Sequence, residues 1–307
     1  MITRLFKDKS FRLSGILTFL FFTTGFILLH YGLINYGVAF FVLLPIVLGI
    51  SIGALPNKKW ALYGSIISLV IFLLLLLAGQ LEGFICVIMT LPIIIPLLFI
   101  GAIMTHLFKK YNEIKGTDKL KILLIPFLPF LFGGVVEKQV TKNTKKIIEV
   151  QSEIVLPYSA MEVYNAIKSV DTLFAEKPFL MKIDLPVPLK CVVDKEEVGG
   201  IRTCYFEGGK IVEKITELEK GKILKMDVID YQLTGRKWLG FVEAVYMFDS
   251  LDLHKSKLTR ITTYTSELRP RIYWEPLERL GIKQEHEYVF NNLLRDLKKS
   301  KTGNKNH

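Results

Sequence analysis

Residues 60–79, WALYGSIISLVIFLLLLLAG, form a run of 20 residues without a charged side chain. A helix of that length rises about 30 Å, the thickness of the hydrocarbon core of a bilayer. Lys58 and Lys59 precede the run, and Trp60 stands where an interfacial aromatic residue is expected. A buried helix of a large soluble protein would explain one such run, but three more occur in the first 108 residues. The sequence therefore predicts an integral membrane protein.

The other three apolar runs cover residues 13–33, 36–55 and 84–108. The first follows a basic N-terminus, as a signal peptide would, but it is longer than a usual signal-peptide core and no small-residue cleavage motif follows it. None of the four runs contains Asp, Glu, Lys or Arg. Because ion pathways need ionisable groups at depth, a pump or channel is disfavoured. We predict a region of four transmembrane helices over residues 1–110.

The distribution of charge predicts the orientation. Residues 1–147 hold 15 Lys and Arg against 5 Asp and Glu, whereas the rest of the chain holds 25 against 24. The basic residues of the first region flank the spans at the N-terminus, at 57–59 and after 109, and the turns at 30–37 and 80–83 have none. The positive-inside rule then predicts a protein of the cytoplasmic (inner) membrane with both termini cytoplasmic. The orientation of the spans and contact with anionic lipid explain this excess of basic charge, so no nucleic acid partner is expected.

A basic connector is predicted over residues 111–147. Its apolar segment 120–136 has 17 residues and contains Pro126 and Pro129, so it is too short and broken for a full span. We expect it to lie in the interface or to dip partway into the membrane. A fifth span would place the following domain outside, and the lysines that come after the segment argue against that. Those lysines are expected at the membrane surface: Lys138, Lys142, Lys145 and Lys146.

From residue 148 onward the apolar pattern takes the period of strands. A strand at 149–156 and a short helix are followed by about six antiparallel strands, divided by glycine turns, and by one long helix from Pro276 to Lys299. We predict an α+β domain over 148–299 and a disordered tail over 300–307. The three cysteines form no CxxC motif and have no histidine at ligand spacing, so free thiols and no metal site are expected.

Three segments of this half resemble the START, polyketide-cyclase and birch-pollen-allergen superfamily (SRPBCC, helix-grip). They are EIVLPYSAMEVYNAI at 153–167, GGKIVEKITELEKGKIL at 208–224 and LRPRIYWEPLERLGIKQEHEYVFNNLLRDLKK at 268–299. The resemblance covers about 149–299. It implies a curved antiparallel sheet around a long C-terminal helix, with an apolar cavity between them. Members of the group bind lipids, sterols or polyketides, and a minority are enzymes.

The leading hypothesis is therefore a membrane-tethered cytoplasmic domain that binds a hydrophobic, lipid-like ligand without changing it. One alternative is a cyclase or dehydratase that acts on such a ligand, and another is a sensor or scaffold with a vestigial cavity. The expected partners are membrane lipid and a hydrophobic small molecule, with no cofactor and no metal. The oligomeric state stays open.

Two residues are weak candidates for acid–base catalysis. His286 lies on the apolar stripe of the last helix, where it either meets a ligand or is a satisfied core histidine. Glu243 is either a buried carboxylate or a solvated one, and the sequence does not settle the strand register. The predicted ligand-binding residues are Tyr205, Tyr246, Tyr264, His286, Val289, Phe290 and Leu293. Beside the four lysines, the predicted membrane-surface residues are Arg236, Trp238, Arg271 and Trp274.

Overall fold

The computed structural model describes residues 7–111, 127–141, 146–233, 235 and 238–303. The chain forms two compact units. The first comprises Met1–Lys145 and Glu267–Trp274, and the second comprises Lys146–Ser266 and Glu275–His307. After the last strand, the chain thus returns to the first unit for eight residues, which no pattern in the sequence indicates.

The first unit is helical. Its helices are α1 (Lys9–His30), α2 (Leu44–Gly53, preceded by the π-helical turn Ala39–Leu43), α3 (Lys58–Ala78), α4 (Phe84–Tyr111) and α5 (Phe127–Thr141). Within the described part of the chain, three segments are long and apolar enough to cross a membrane: Lys9–His30, Lys58–Ala78 and Phe84–Thr105. The second predicted span forms a shorter apolar helix, Ala39–Gly53, because the turn between it and α1 takes up residues 31–37.

Small residues bring the helices of the first unit into close contact. A Cβ atom placed on Gly49 of α2 would lie 2.1 Å from the carbonyl oxygen of Leu98 on α4. Between α1 and α3, the Ser68 hydroxyl donates to the carbonyl oxygen of Gly15 at 2.8 Å. Backbone approach of this kind is how membrane helices gain packing without a hydrophobic driving force. The spacing of Gly49 and Gly53 in the sequence predicts such packing for α2.

The two ends of this helical unit differ in charge. At one end, here called the basic end, the Asn57 side-chain amide donates to Asp8 at 3.1 Å, so the start of α1 meets the turn before α3. At the other end, here called the turn end, the turns 31–37 and 79–83 meet, and the Tyr36 hydroxyl donates to Glu82 at 3.2 Å. The turns of the turn end contain no Lys or Arg.

Helix α5 begins halfway along α1 and finishes at the turn end. The ring of Phe127 lies 4.4 Å from the ring of Phe21, which is in the middle of α1. At the other end of α5, the Glu137 carboxylate accepts hydrogen bonds from the backbone N–H groups of Val38 and Ala39, each at 2.8 Å.

Two more contacts fix the end of α5 at the same place. The Asn35 amide donates to the Thr141 hydroxyl at 2.8 Å, and the Lys138 ammonium donates to the carbonyl oxygen of Gly32. The expectation that 120–136 lies in the interface or dips partway into the membrane stays a prediction. In its described part, Phe130 is buried within the unit, whereas Leu128 and Phe132 are exposed. Residues 120–126 lie outside the described residues.

The second unit is a seven-stranded antiparallel sheet with a long C-terminal helix. Its strands are β1 (Ile147–Leu156), β2 (Pro188–Val193), β3 (Ile201–Phe206), β4 (Gly209–Glu219), β5 (Ile223–Leu233), β6 (Leu239–Asp252) and β7 (Lys255–Ser266). They pair in the order β1-β7-β6-β5-β4-β3-β2. The helices are α6 (Ala160–Ile167), α7 (Phe179–Ile183) and α8 (Arg271–Gly303).

The expected architecture of a sheet that holds a C-terminal helix is confirmed. On β7, the even-numbered side chains face α8: the Thr262 hydroxyl lies 2.8 Å from His286 Nε2, and the Ser266 hydroxyl donates to Glu278 at 2.7 Å. Because side chains alternate along a strand, the odd-numbered residues of β7 face away from α8. The interior therefore lies between the sheet and α8.

The prediction of free thiols is wrong for two of the three cysteines. Cys191 on β2 and Cys204 on β3 are direct partners in the strand pairing, and they form a disulfide. Their spacing of 13 residues does not show this, because the pairing depends on where the turn between the strands falls. Cys86 is free.

Candidate functional site

Two of the apolar clusters in the second unit are lined by β1, β6, β7 and α8. The larger cluster includes Leu156, Tyr246, Phe248, Leu258, Val289, Phe290, Leu293 and Leu297. The smaller cluster contains Ile148, Val150, Leu239 and Tyr264, with Trp238, Phe241 and Ile282 packed against it.

A layer of polar side chains separates the two clusters, and we call it the polar belt. It consists of Ser152 on β1, Arg260 and Thr262 on β7, and Glu285 and His286 on α8. On each of these elements the belt residues fall between a residue of the smaller cluster and a residue of the larger one. The register pairs Ser152 with Arg260 across β1 and β7. The belt is therefore set by the same alternation that builds the core.

His286 sits at the centre of the belt and is fully buried. Its Nε2 lies 2.8 Å from the Thr262 hydroxyl, and its Nδ1 lies 2.9 Å from the Ser152 hydroxyl. Burial, assisted by the charge of Arg260, lowers the pKa of His286 to about 2. The imidazole is therefore neutral near pH 7, and both of its nitrogens are engaged.

Arg260 is the charged donor of the belt, and 8% of its surface is exposed. Its Nη2 contacts the two carboxylate oxygens of Glu285 at 3.0 and 2.8 Å. Burial lowers the pKa of Arg260, but Glu285 and the other nearby groups raise it by more, so the guanidinium stays charged. Among the described residues, nothing accepts a hydrogen bond from its Nε or its Nη1.

A second buried arginine, Arg202 on β3, is satisfied on all three nitrogens. Its Nη1 donates to Glu213 at 2.8 Å, its Nε to the carbonyl oxygen of Lys168 at 3.2 Å, and its Nη2 to that of Ile167 at 3.4 Å. Both members of the Arg202–Glu213 pair are buried. This arginine therefore has a complete structural role, which distinguishes it from Arg260.

The ring of Tyr246 connects the two arginines and shows that the sheet is curved. The guanidinium carbon of Arg202 lies 5.6 Å from the ring centre, and that of Arg260 lies 5.3 Å from it. In a flat sheet, β3 and β7 would be about 19 Å apart, since neighbouring strands are spaced by about 4.8 Å. Curvature brings the two charged side chains to the same aromatic ring.

Most of the predicted ligand-binding residues are buried in the interior. Tyr246, Val289, Phe290 and Leu293 line the larger cluster, Tyr264 belongs to the smaller one, and His286 lies in the belt between them. Their part in ligand binding stays a prediction.

Two predicted site residues lie away from the interior. Tyr205 is exposed, and the Lys190 ammonium lies 4.9 Å from its ring centre. Glu243 forms an ion pair with Lys225 at 2.7 Å. Since its neighbour Ala244 belongs to the larger cluster, Glu243 projects from the opposite face of β6. The solvated reading of this carboxylate is the one that the register supports.

The described members of the predicted membrane-surface set are divided between the two units, and their part at a membrane surface stays a prediction. Trp274 is buried in the first unit, where its ring lies 4.9 Å from that of Phe41. Arg271 donates to the carbonyl oxygen of Leu268, and Trp238 packs against the smaller cluster. Lys138 lies at the turn end, and Lys146 is exposed beside Glu275. The other three members lie outside the described residues: Lys142, Lys145 and Arg236.

The residues that sequence reasoning missed are mainly polar partners. The predicted set of site residues leaves out Ser152, Thr262 and Glu285, and it also leaves out the pair Arg202 and Glu213. Arg260 is outside that set too, although it is one of the residues on predicted strands that could face inward. A period-two reading of β7 from Leu258 to Tyr264 would have placed Arg260 and Thr262 on the core face. No signal in the sequence pairs Arg202 with Glu213, because that contact depends on the register of β3 against β4. Among the described residues, no group of three or more His, Cys, Asp or Glu side chains is placed to hold a metal ion.

No protein-family model matches the chain, and no curated protein sequence matches it. Solved structures match its second half. The Zhui aromatase/cyclase from Streptomyces sp. R1128 is 14% identical, with a TM-score of 0.37, and the match covers 50% of this chain and 94% of that one. A START superfamily protein from Mycobacterium smegmatis is 10% identical, with a TM-score of 0.37 and coverage of 49% and 97%.

A third similar structure is a norcoclaurine synthase point mutant from Thalictrum flavum. It is 14% identical, with a TM-score of 0.36, and the match covers 52% of this chain and 98% of that one. All three matches concern the fold alone.

Proposed function

We propose that this chain is a membrane-anchored binding protein whose second unit holds an amphipathic, lipid-like ligand and does not transform it. The observation that carries the proposal is the polar belt between two apolar clusters inside the core. Packing alone does not explain the Arg260–Glu285 pair, because a buried ion pair is often no better for stability than well-packed apolar residues, and two nitrogens of Arg260 have no acceptor among the described residues. A ligand with an apolar body and a polar group matches the alternation of apolar and polar layers.

The arrangement gives less support to the enzyme alternative. General acid–base catalysis needs a titratable group within reach of the substrate and with a pKa near the working pH. His286 has both nitrogens engaged and a pKa far below neutrality, and Glu243 projects from the other face of the sheet. Binding without turnover is therefore the function that the geometry supports best.

The membrane arrangement that we propose has five crossings, with the second unit on the non-cytoplasmic side. Three crossings are the long helices, the fourth is Ala39–Gly53, and the fifth is the segment that ends in α5. The helix Ala39–Gly53 has 15 residues and is about 22 Å long, which a locally thinner bilayer accommodates. Helix α5 extends from the middle of α1 to the turn end, so it accounts for the part of the fifth crossing nearer the turn end. The contacts of Glu137 and Thr141 at the turn end support this, because the chain then leaves the membrane opposite to its N-terminus.

The charge distribution agrees with five crossings as well as with four. Of the 15 Lys and Arg residues in 1–147, eleven lie in the N-terminal segment, in the 57–59 turn or within residues 109–121 after α4. The other four follow the start of α5. The greater positive charge still belongs to the basic end, so that end is assigned to the cytoplasm. We therefore propose the opposite side for the second unit from the one that the sequence alone predicts.

The disulfide supports the same assignment independently. Disulfides persist in oxidising compartments and are rare in the cytosol, where thiols are kept reduced. A bond between Cys191 and Cys204 is thus expected on the non-cytoplasmic side of the membrane.

Cysteine labelling in intact cells tests the membrane arrangement. We would introduce Leu253→Cys, in an exposed turn of the second unit, and Lys59→Cys, at the basic end, each in a Cys86→Ser background. A membrane-impermeant maleimide should label Leu253→Cys in intact cells and Lys59→Cys only after permeabilisation. If both variants are labelled only after permeabilisation, the second unit lies in the cytoplasm and the arrangement with five crossings is refuted.

Native mass spectrometry of the purified full chain tests the binding function. We expect an adduct with the mass of a lipid or lipid-like molecule that survives removal of the detergent. The matched variant is Phe290→Ala, which removes a large apolar side chain from the larger cluster and should lower the adduct fraction. A wild-type chain that carries no adduct after growth and incubation with lipid extract would count against binding and in favour of a scaffold.

A further inference from the structure

We propose that Arg260 is the polar anchor of the binding site and takes a carboxylate of an amphipathic ligand. The inference rests on the proposed binding function and names the chemistry of the ligand's polar end. It starts from the observation that Arg260 is more than nine-tenths buried, yet two of its three guanidinium nitrogens have no acceptor among the described residues.

A buried donor without an acceptor is costly, and native structures satisfy nearly all such groups. The other buried polar groups of this interior follow that rule. Arg202 makes three hydrogen bonds, and His286 is engaged through both ring nitrogens. Arg260 thus departs from its own surroundings, and its free donors lie in the layer between the two apolar clusters.

The surroundings of Arg260 select an anionic oxygen acceptor. Glu285 contacts only Nη2, from a partly exposed position on α8, so it leaves Nε and Nη1 available. The neighbouring Tyr246 presents its ring to the guanidinium, and His286 is neutral, so neither supplies a competing negative charge. Guanidinium forms its strongest hydrogen bonds with carboxylate and phosphate groups, and a carboxylate is the smaller of the two.

The apolar clusters on either side of the belt indicate that the part of the ligand beyond its polar group is apolar. A chain that lies along the inner face of the sheet would contact residues of the larger cluster, such as Val289 and Phe290, while its carboxylate reaches Arg260. The chemical class is therefore a carboxylate on an apolar body, of which a medium-chain fatty acid is the simplest example.

The test compares three probes on the full chain in lipid nanodiscs, with empty nanodiscs as the background. The probes are dodecanoic acid labelled with ¹³C at the carboxyl carbon, its methyl ester and dodecanol. We expect dodecanoate to bind about tenfold to a hundredfold more tightly than the ester, as removal of a charged hydrogen bond implies. The bound carboxyl signal should also stay ionised at pH values where the lipid-dissolved signal is protonated, because the guanidinium stabilises the anion.

Two variants locate the effect. Arg260→Gln combined with Glu285→Gln removes the pair without leaving one charge alone, and it should abolish both the preference for dodecanoate and the ionised bound signal. The matched control is Arg279→Gln, which removes an arginine of α8 that pairs with Glu275 at 2.9 Å and lies outside the belt. This control should bind like the wild type.

The possible failures are distinguishable. If the ester and dodecanol bind as well as dodecanoate, Arg260 is satisfied by buried water and the carboxylate assignment is refuted, although the binding function stands. If no probe binds above the empty nanodiscs, the binding function itself fails. The comparison of probes on the wild type needs no variant, so it decides the question even if the double variant does not fold.

Discussion

The interior of the second unit contains two arginine–glutamate pairs that consist of the same residue types and differ in their surroundings. Arg202 and Glu213 are both buried, and the three guanidinium nitrogens of Arg202 all have acceptors. Arg260 is just as buried, but its partner Glu285 is partly exposed and occupies one nitrogen. In the first pair all guanidinium nitrogens of the arginine have acceptors, whereas in the second Nε and Nη1 of Arg260 have none among the described residues. Two buried arginines of one interior thus differ in how many of their hydrogen-bond donors have acceptors among the described residues.

The first prediction breaks each pair in turn. Glu213→Gln leaves the Arg202 charge buried without compensation, and we expect a loss of about 3–5 kcal/mol in the free energy of unfolding. Glu285→Gln should cost less, about 1–3 kcal/mol, because Arg260 already tolerates unsatisfied donors and its partner is partly exposed to solvent. Chemical denaturation of the full chain, followed through the signal of the second unit, measures both losses.

The order of the two losses is the decisive result. An equal loss would mean that Arg260 depends on Glu285 as strongly as Arg202 depends on Glu213. In that case the difference in hydrogen bonding would have no energetic meaning. Lys225→Gln serves as the control, because its ion pair with Glu243 lies on the outer face and should contribute little.

The second prediction concerns the histidine of the polar belt. The pKa of His286 is about 2 in the folded chain and near 6.5 in the unfolded one, so below pH 6.5 the unfolded state binds more protons. Stability contributed by the neutral imidazole is therefore present above pH 6.5 and is lost as the pH falls. Between pH 7 and pH 5 the loss should be about 2 kcal/mol.

The variant His286→Gln isolates this contribution, because glutamine keeps a donor and an acceptor but does not titrate. The free energy of unfolding of this variant should not show the loss of about 2 kcal/mol that His286 causes between pH 7 and pH 5. A variant whose stability falls with pH as steeply as that of the wild type would show that other groups cause the dependence.

The sequence was sufficient for the order of elements and for the face of the last helix. The stripe of His286, Phe290, Leu293 and Leu297 is buried, as its spacing predicts, because an amphipathic helix must turn its apolar side to the core. The alternation along β6 offered two faces, and only the register shows that Ala244, Tyr246 and Phe248 are the buried one. Register comes from turns and long-range pairing, which a single sequence does not specify.

The sequence says less where the evidence is compositional. The lysines after residue 137 predict a cytoplasmic surface, which stays a prediction, and the described contact of Lys138 is with the carbonyl oxygen of Gly32 at the turn end. Charge bias is a statistical rule about the whole chain, and it does not place individual residues. The Cys191–Cys204 pair was missed for a related reason, since two cysteines on neighbouring strands pair only in one register.

The segment Glu267–Trp274 gives the second unit a second attachment. Its Arg269 N–H donates to the carbonyl oxygen of Tyr36 at 2.9 Å, and its Trp274 ring is buried against Phe41. A domain that is connected to the rest of a protein by a single linker is released by one proteolytic cut. Here, a cut in the chain before Lys146 produces a C-terminal fragment that includes these eight residues. Their contacts within the first unit still bind that fragment. Shedding from the membrane would require that the segment also be pulled out, so a nicked protein is expected to remain assembled.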